Sequence, residues 1–265
     1  MIHRNGITAG WGSTGDRHVI LLPNGYKPGT KPGVIWCAPY ESGAANVLFS
    51  GIGSWMAQWG YPVVCLDLGQ SRIGGVSGSA SEWNGSDGPE LFTADAPMAA
   101  IDTIWNTVFP AIGALSGPGV GKCYMTGGSG GGCKAVQWTR LHPDRVAACL
   151  TIIGVVNLLE LQQRSTEALP RVWEWLTPLG NPVPNSRNPR YAYEDWTPAH
   201  PPLRMQYSLN DTICPWTETV GLANDINAVG GSAIAIEQNQ GNHDFYTGLN
   251  EEAAHWLLQH STSLV

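Results

Sequence analysis

Ser129 stands in the pentapeptide Gly127-Gly128-Ser129-Gly130-Gly131, where an apolar run gives way to a helix-like one. A serine hydroxyl is a weak nucleophile near neutral pH. It attacks a carbonyl only when a base within hydrogen-bond reach takes its proton and a carboxylate orients that base. A G-x-S-x-G segment at a strand-to-helix joint presents such a serine on a tight, strained turn, and its glycines remove side chains that would clash there. The flanks predict this joint, with a short strand over 122–126 and a helix over 133–141 closed by His142-Pro143. Other readings of the glycines fit less well. A flexible linker separates domains, whereas this stretch lies between two apolar segments of one core. A dinucleotide turn, formally satisfied by Gly130 to Ala135, lacks an acidic residue at the end of the next strand, about 20 residues on. A phosphate-binding P-loop around Gly121-Lys122 has Ser116 where its first glycine belongs and Cys123 in place of Ser/Thr.

An elbow serine predicts its partners: an acid and then a histidine, each on a loop after a later strand. Asp211 directly follows an apolar run at 203–208, and His243, in Gly241-Asn242-His243-Asp244, follows one at 233–237. Among the other histidines, His3 and His18 precede the first buried strand, His142 ends the elbow helix and His200 stands before Pro201. His255 and His260 belong to a closing helix. Asp225 and Glu218 fall on a helix-like stretch after Pro215, Asp244 adjoins the base, and Asp67 ends an earlier strand, so Asp211 leads for the carboxylate. The oxyanion of a tetrahedral intermediate needs two preorganised N–H donors. Gly130, directly after the nucleophile, is one candidate, and the loop Pro39-Tyr40-Glu41-Ser42-Gly43 after the strand at 33–38 is expected to supply the other.

The elements that position these residues alternate along the chain. Strands are predicted over 18–23, 33–38, 61–67, 122–126, 146–153, 203–208 and 233–237, and helices over 49–59, 95–108, 133–141 and 251–260. Such β-α repetition implies one α/β domain over residues 1–265, a mostly parallel twisted sheet with helices on both faces. Residues 69–90, rich in Gly, Ser and Asn, read as a long surface loop. Residues 155–200 are too long for a plain connection and carry Trp173, Trp175 and Trp196 among six prolines from Pro170 to Pro198. A cap over the carboxyl edge of the sheet, with these tryptophans binding substrate, explains both length and composition; a satellite cluster on the sheet's flank is the alternative.

Composition narrows the function further. With 14 Lys and Arg, a net charge of −7 and no basic stripe, the chain is not built for a nucleic-acid backbone. No run reaches the roughly 18 apolar residues of a membrane span, and the N-terminus lacks the apolar run of a signal peptide, so a soluble, cytoplasmic or virion-associated protein is expected. Six cysteines without a C-x-x-C pair lie in or beside apolar strands and read as reduced core thiols, with Cys37 and Cys65 near enough to bond in an oxidising compartment. No metal or organic cofactor is implied, and nothing in the sequence speaks to oligomeric state.

The Ser129, Asp211, His243 order, the Ala38-Pro39-Tyr40 strand end, the Trp55 to Val64 helix-Gly-strand step and Asn210-Asp211-Thr212 together resemble the α/β-hydrolase superfamily, in its serine esterase, lipase and cutinase-like polyester hydrolase branch. The resemblance covers most of the chain outside 69–90 and 155–200. It implies an α/β-hydrolase fold with a cap-like insertion, hydrolysis of a small or polymeric carboxylic ester through an acyl-enzyme, and the Tyr40 backbone N–H as an oxyanion donor. Gly128 and Gly130 replace the bulkier residues common beside the nucleophile, which implies an open pocket floor, and no cysteine follows Cys214 to form the C-terminal disulfide of secreted cutinases. A prolyl-oligopeptidase-like peptidase or amidase, which uses the same triad order, and a virion- or envelope-associated module binding or de-esterifying a surface polymer stay open beside the esterase.

Overall fold

Strands β4 (Val34–Cys37), β6 (Cys123–Gly128) and β7 (Val146–Ile152) are buried at every position, and their sequences, without a charged residue, suit strands covered on both faces. They form the middle of a nine-stranded sheet, in the order β1-β2-β3-β5-β4-β6-β7-β8-β9, with β1 Ile2–Arg4, β2 Ile7–Trp11, β3 His18–Pro23, β5 Val63–Leu66, β8 Leu203–Tyr207 and β9 Ala233–Glu237. The computed structural model describes residues 2–4, 7–11, 18–39, 51–66, 95–168, 176, 179–238, 241–243 and 251–263. Pairing is antiparallel from β1 through β3 to β5 and parallel from β5 to β9. The expected mostly parallel sheet with helices on both faces is therefore present. The hairpin-like strands β1 and β2 are an addition that the weak patterning of residues 2–11 did not announce.

Successive side chains of a strand point to opposite faces, and this alternation divides the core in two. Ile35, Cys37, Val64, Met125 and Cys149 meet helices α2 (Asp95–Thr103), α3 (Phe109–Ile112), α4 (Gly130–Leu141) and α6 (Trp216–Ala228) on one face. Val34, Trp36, Val63, Cys65, Tyr124 and Leu150 meet α1 (Gly51–Gln58) and α7 (Glu251–Leu258) on the other. The helix expected over 95–108 runs on to Ile112 through a π turn at Ile104–Val108, in which the Phe109 N–H donates to the Ile104 carbonyl. Pro110 has no N–H and its ring would strike the carbonyl four residues back in a regular helix; the wider turn avoids that clash, and Gly113 at φ 65° closes the helix.

The chain passes from β4 to β5 on one side and then crosses back past β4 to β6 on the other, so β4 and β6 are neighbours at a topological switch, with Cys37 paired to Gly127. In open α/β sheets the crevice for ligand lies at such a point, beyond the carboxyl ends of the strands. The elbow stands there.

The insertion after β7 divides. Helix α5 (Leu158–Ala168) with Leu176, Leu179 and Val183 forms a small core against Cys133 of α4 and Cys214. Residues 179–200 then descend the flank of α4 and α6: the Ser186 carbonyl accepts from Gln137 at 3.0 Å and from Arg140 at 2.8 Å, and Arg190 pairs with Asp225. Trp196 belongs to this flank. It is 2% exposed, in the core with Leu222 and Ile226, so its expected substrate contact is corrected to a packing role: a large indole at a loop-to-flank crossing is covered from both sides. Trp173 and Trp175 lie outside the described residues, as do residues 67–94.

All six cysteines are buried and none forms a disulfide, which agrees with the reading as core thiols. Burial pushes the Cys37 and Cys149 thiols up to about 12. Since the thiolate is the reactive form, iodoacetamide at pH 8 is expected to leave the native protein unmodified and to alkylate six thiols once denaturant is added, as counted by intact mass. Trp196→Ala is expected to lower unfolding stability by about 3–5 kcal/mol in a urea titration.

Candidate active site

Ser129 has φ 48° and ψ −125°, and lies between the last residue of β6 and the first of α4. Only one other non-glycine among the described residues has positive φ, Ile153 at 42°. Such a conformation costs about 1–3 kcal/mol and persists where its surroundings over-determine it. Here they do: the Ser129 N–H donates to the Ile152 carbonyl at 3.1 Å, and the Ser129 carbonyl accepts from Gly132 and Val155, each at 2.9 Å. Two glycines let the helix begin so close to the sheet. A Cβ on Gly131 would lie 2.1 Å from the Cys37 carbonyl oxygen, and one on Gly127 would lie 2.4 Å from the Gly131 carbonyl oxygen.

The Ser129 Oγ is 2.9 Å from His243 Nε2, and His243 Nδ1 is 2.8 Å from Asp211 Oδ2. The Asp211 side chain is fully buried and that of His243 is 15% exposed. Asp211 Oδ1 accepts the N–H groups of Ile213 and Cys214, both at 2.8 Å. The acid and base loops are also tied directly. The Ser208 hydroxyl donates to the Gly241 carbonyl at 2.5 Å, and Asn242 Oδ1 accepts the Thr212 N–H at 3.1 Å. Asn242 and Ser208 went unremarked in the sequence, although Asn242 adjoins the histidine.

The rival acids are engaged elsewhere. Asp225 pairs with Arg190, and Glu218 accepts from Asn157 at 2.8 Å. Asp67 and Asp244 lie outside the described residues. Among the histidines, His142 caps the end of α4, and His200 Nε2 lies 3.1 Å from the Arg140 carbonyl. Gly130 opens α4, where the first N–H groups of a helix have no intrahelical partner and the macrodipole is positive, so its N–H is suited to a developing oxyanion. Tyr40 lies outside the described residues.

Donor atoms of Asp211, Cys214 and His243 lie within 4.8 Å of one another, as metal ligands would. Both Asp211 oxygens are already taken by hydrogen bonds, and burial with the neighbouring Asp211 carboxylate holds the Cys214 thiol well above its usual range. The donor set therefore suits proton handling rather than a cation. Beside the acid loop is an open recess of about 210 Å³, solvent at its mouth included, with Val155, Val156, Leu161 and Pro215 apolar and Asn157, Glu160 and Glu218 polar.

Lys134, one turn into α4 on the face of Gly131, is a group the sequence reading passed over; it is 4% exposed, and burial pulls its ammonium down to about 8. A folded value below the unfolded one means that the unfolded chain binds more protons between about 8 and 10.5, so the cost of the buried charge is full below pH 8 and fades as pH rises through that window. Lys134→Met is expected to raise stability by roughly 2–3 kcal/mol at pH 7. The gain should shrink toward pH 10.5 in urea titrations.

Sheet order, elbow and loop placement are those of the α/β-hydrolase fold, and solved structures agree. A variant of the esterase rPPE superposes with TM-score 0.71 at 15% identity, over 99% of this chain and 86% of that one. Carboxyl esterase 2 of the mycorrhizal fungus Tuber melanosporum gives 0.65 at 12% identity, over 97% and 84%. The acylaminoacyl peptidase of Pyrococcus horikoshii gives 0.67 at 13%, over 98% of this chain but 43% of the peptidase. The chain thus has the α/β-hydrolase fold. No family model matches the sequence, and no curated protein matches it by sequence. No helix among the described residues is long and apolar enough to cross a membrane.

Proposed function

We propose that the protein is a serine hydrolase that cleaves carboxylic esters through an acyl-enzyme. The observation that carries this reading is the hydrogen-bonded chain from the strained Ser129 through His243 to Asp211 at the carboxyl edge of the sheet. In the proposed mechanism His243 takes the Ser129 proton as Oγ attacks the ester carbonyl, while Asp211 holds the imidazole in the required tautomer and stabilises the imidazolium. The tetrahedral oxyanion is held by the Gly130 N–H and, by the family resemblance, by that of Tyr40. His243 then donates its proton to the departing alkoxide, the alcohol leaves, and water attacks the acyl-serine by the same steps in reverse order of roles.

Val155, which lines the recess between α5 and the acid loop, donates its N–H to the Ser129 carbonyl. Trp173 and Trp175 are assigned to the substrate pocket by their place in the aromatic insertion. The likeness to an acylaminoacyl peptidase keeps amide substrates as the second reading.

A fluorophosphonate probe is expected to label the native protein and not Ser129→Ala, and p-nitrophenyl esters to be cleaved with a kcat that falls roughly 10⁴-fold or more in Ser129→Ala and Asp211→Asn. Turnover of peptide amides above esters of equal size would replace the esterase reading by the peptidase one. Absence of labelling would remove both.

A further inference from the structure

A trans peptide carries its C=O and its N–H on opposite edges, so a peptide that turns its N–H to one partner turns its carbonyl to another. The Thr212–Ile213 and Ile213–Cys214 peptides both give their N–H to Asp211 Oδ1, at 2.8 Å each. Their two carbonyls are both taken by a single side chain. Arg164 Nη1 donates to the Thr212 oxygen at 2.9 Å and Nη2 donates to the Ile213 oxygen at 2.6 Å. A guanidinium and a carboxylate thus face each other across the same two peptides, each bonded to one edge.

Arg164 comes from α5, within the insertion, 48 residues before the nearer carbonyl it binds. Its planar fork is set by Glu160 one turn earlier, which accepts from Nε and, at 2.9 Å, from Nη2. Glu160 is itself placed by the start of α5, where its N–H donates to Asn157 Oδ1 at 3.1 Å. Five fixed N–H donors let an arginine hold two carbonyls and a carboxylate at once, which a lysine's point charge does not reproduce.

We propose that Arg164 is a positioning residue for Asp211: it orients and polarises, from their carbonyl edge, the two peptides whose N–H groups hold the carboxylate that faces His243. Helix α5 is then the part of the insertion that the catalytic acid depends on. A positive charge at the carbonyl end strengthens each N–H as a donor, and fixing both peptide planes fixes the direction in which Oδ2 points. Misplacement of a catalytic group by about 1 Å costs as much as a hundredfold in rate. This role rests on the serine hydrolase reading above.

The test is a double-mutant cycle on the labelling rate of Ser129 by a fluorophosphonate, with kcat and KM on a p-nitrophenyl ester and a thermal melt for every variant. Arg164→Ala is expected to slow labelling and lower kcat by roughly 10- to 100-fold with KM little changed. In an Asp211→Asn background the same change should cost less than about twofold, because a residue that acts through the carboxylate has nothing left to act on. Arg164→Lys should fall between wild type and Arg164→Ala. The downfield imidazole N–H resonance of His243 should broaden or vanish in Arg164→Ala while the melt still shows a folded protein. Equal losses in both backgrounds, or a folded Arg164→Ala that labels at the wild-type rate, overturn the assignment. If Arg164→Ala does not fold, Glu160→Gln, which leaves the arginine in place but loosens its fork, takes over: slower labelling supports the role and wild-type labelling overturns it. Wild-type protein that is not labelled overturns the hydrolase reading itself, whereas labelled wild type with additive variants overturns only the role of Arg164.

Discussion

Helix α4 begins against bare backbone, and most of the site depends on that contact. Gly131 presses on the carbonyls of Cys37 and Ala38 at the end of β4, Gly127 on Gly131, and Gly132 on Gly154. With side chains at these points the helix would stand off from the sheet by the width of a methyl group, and Ser129 would relax out of its positive φ. The close approach does two things together. It lifts the hydroxyl above the carboxyl edge of the sheet, and it brings the positive end of the helix under the place where negative charge would develop in the proposed acyl transfer.

What holds the strained turn is the neighbouring strand rather than the turn's own residues. Ile152 accepts the Ser129 N–H, Val155 donates to the Ser129 carbonyl, and between them Ile153, itself at φ 42°, donates to Gln206 of β8 at 2.7 Å. Two unusual backbones on adjacent strands are thus coupled through ladder-like bonds, and the next strand carries the acid loop. The same economy governs Asp211. The cost of burying its carboxylate is offset because each oxygen has a partner, and the two peptides that donate to Oδ1 have their far edges satisfied in turn.

Much of this was legible in one dimension. Strands β3 and β9 stand at the residues their apolar runs predicted, and β4, β7 and β8 within a residue at either end; for β4 and β7, buried at every position, coverage on both faces demands that composition. Ser129, Asp211 and His243 could be picked out because chain order and strand-end placement are one-dimensional signals. Strands β1 and β2 were not legible, since residues 2–11 carry neither an apolar run nor a sustained alternation. The continuation of the helix past Val108 to Ile112 was not legible either, because it depends on a π turn that accommodates Pro110 and no local pattern announces such a turn.

Trp196 marks the limit of composition as a guide. An aromatic insertion after β7 suggests a substrate pocket, yet its last tryptophan is core, because the chain crosses the flank of α4 and α6 at that residue and an indole there has no water to face. Lys134 and Arg164 mark it from the other side, as ordinary helix cations in sequence whose consequences come from what is packed against them. The sequence by itself determined the alternation of strands and helices, the glycines that permit the elbow and the strand-end placement of Ser129, Asp211 and His243 in that order, for these are written in residue type and spacing. Tertiary structure alone decided which backbone holds the strained serine, which peptides hold the buried carboxylate and which tryptophan is core, since each is a contact between residues far apart in the chain and no local pattern encodes such a meeting.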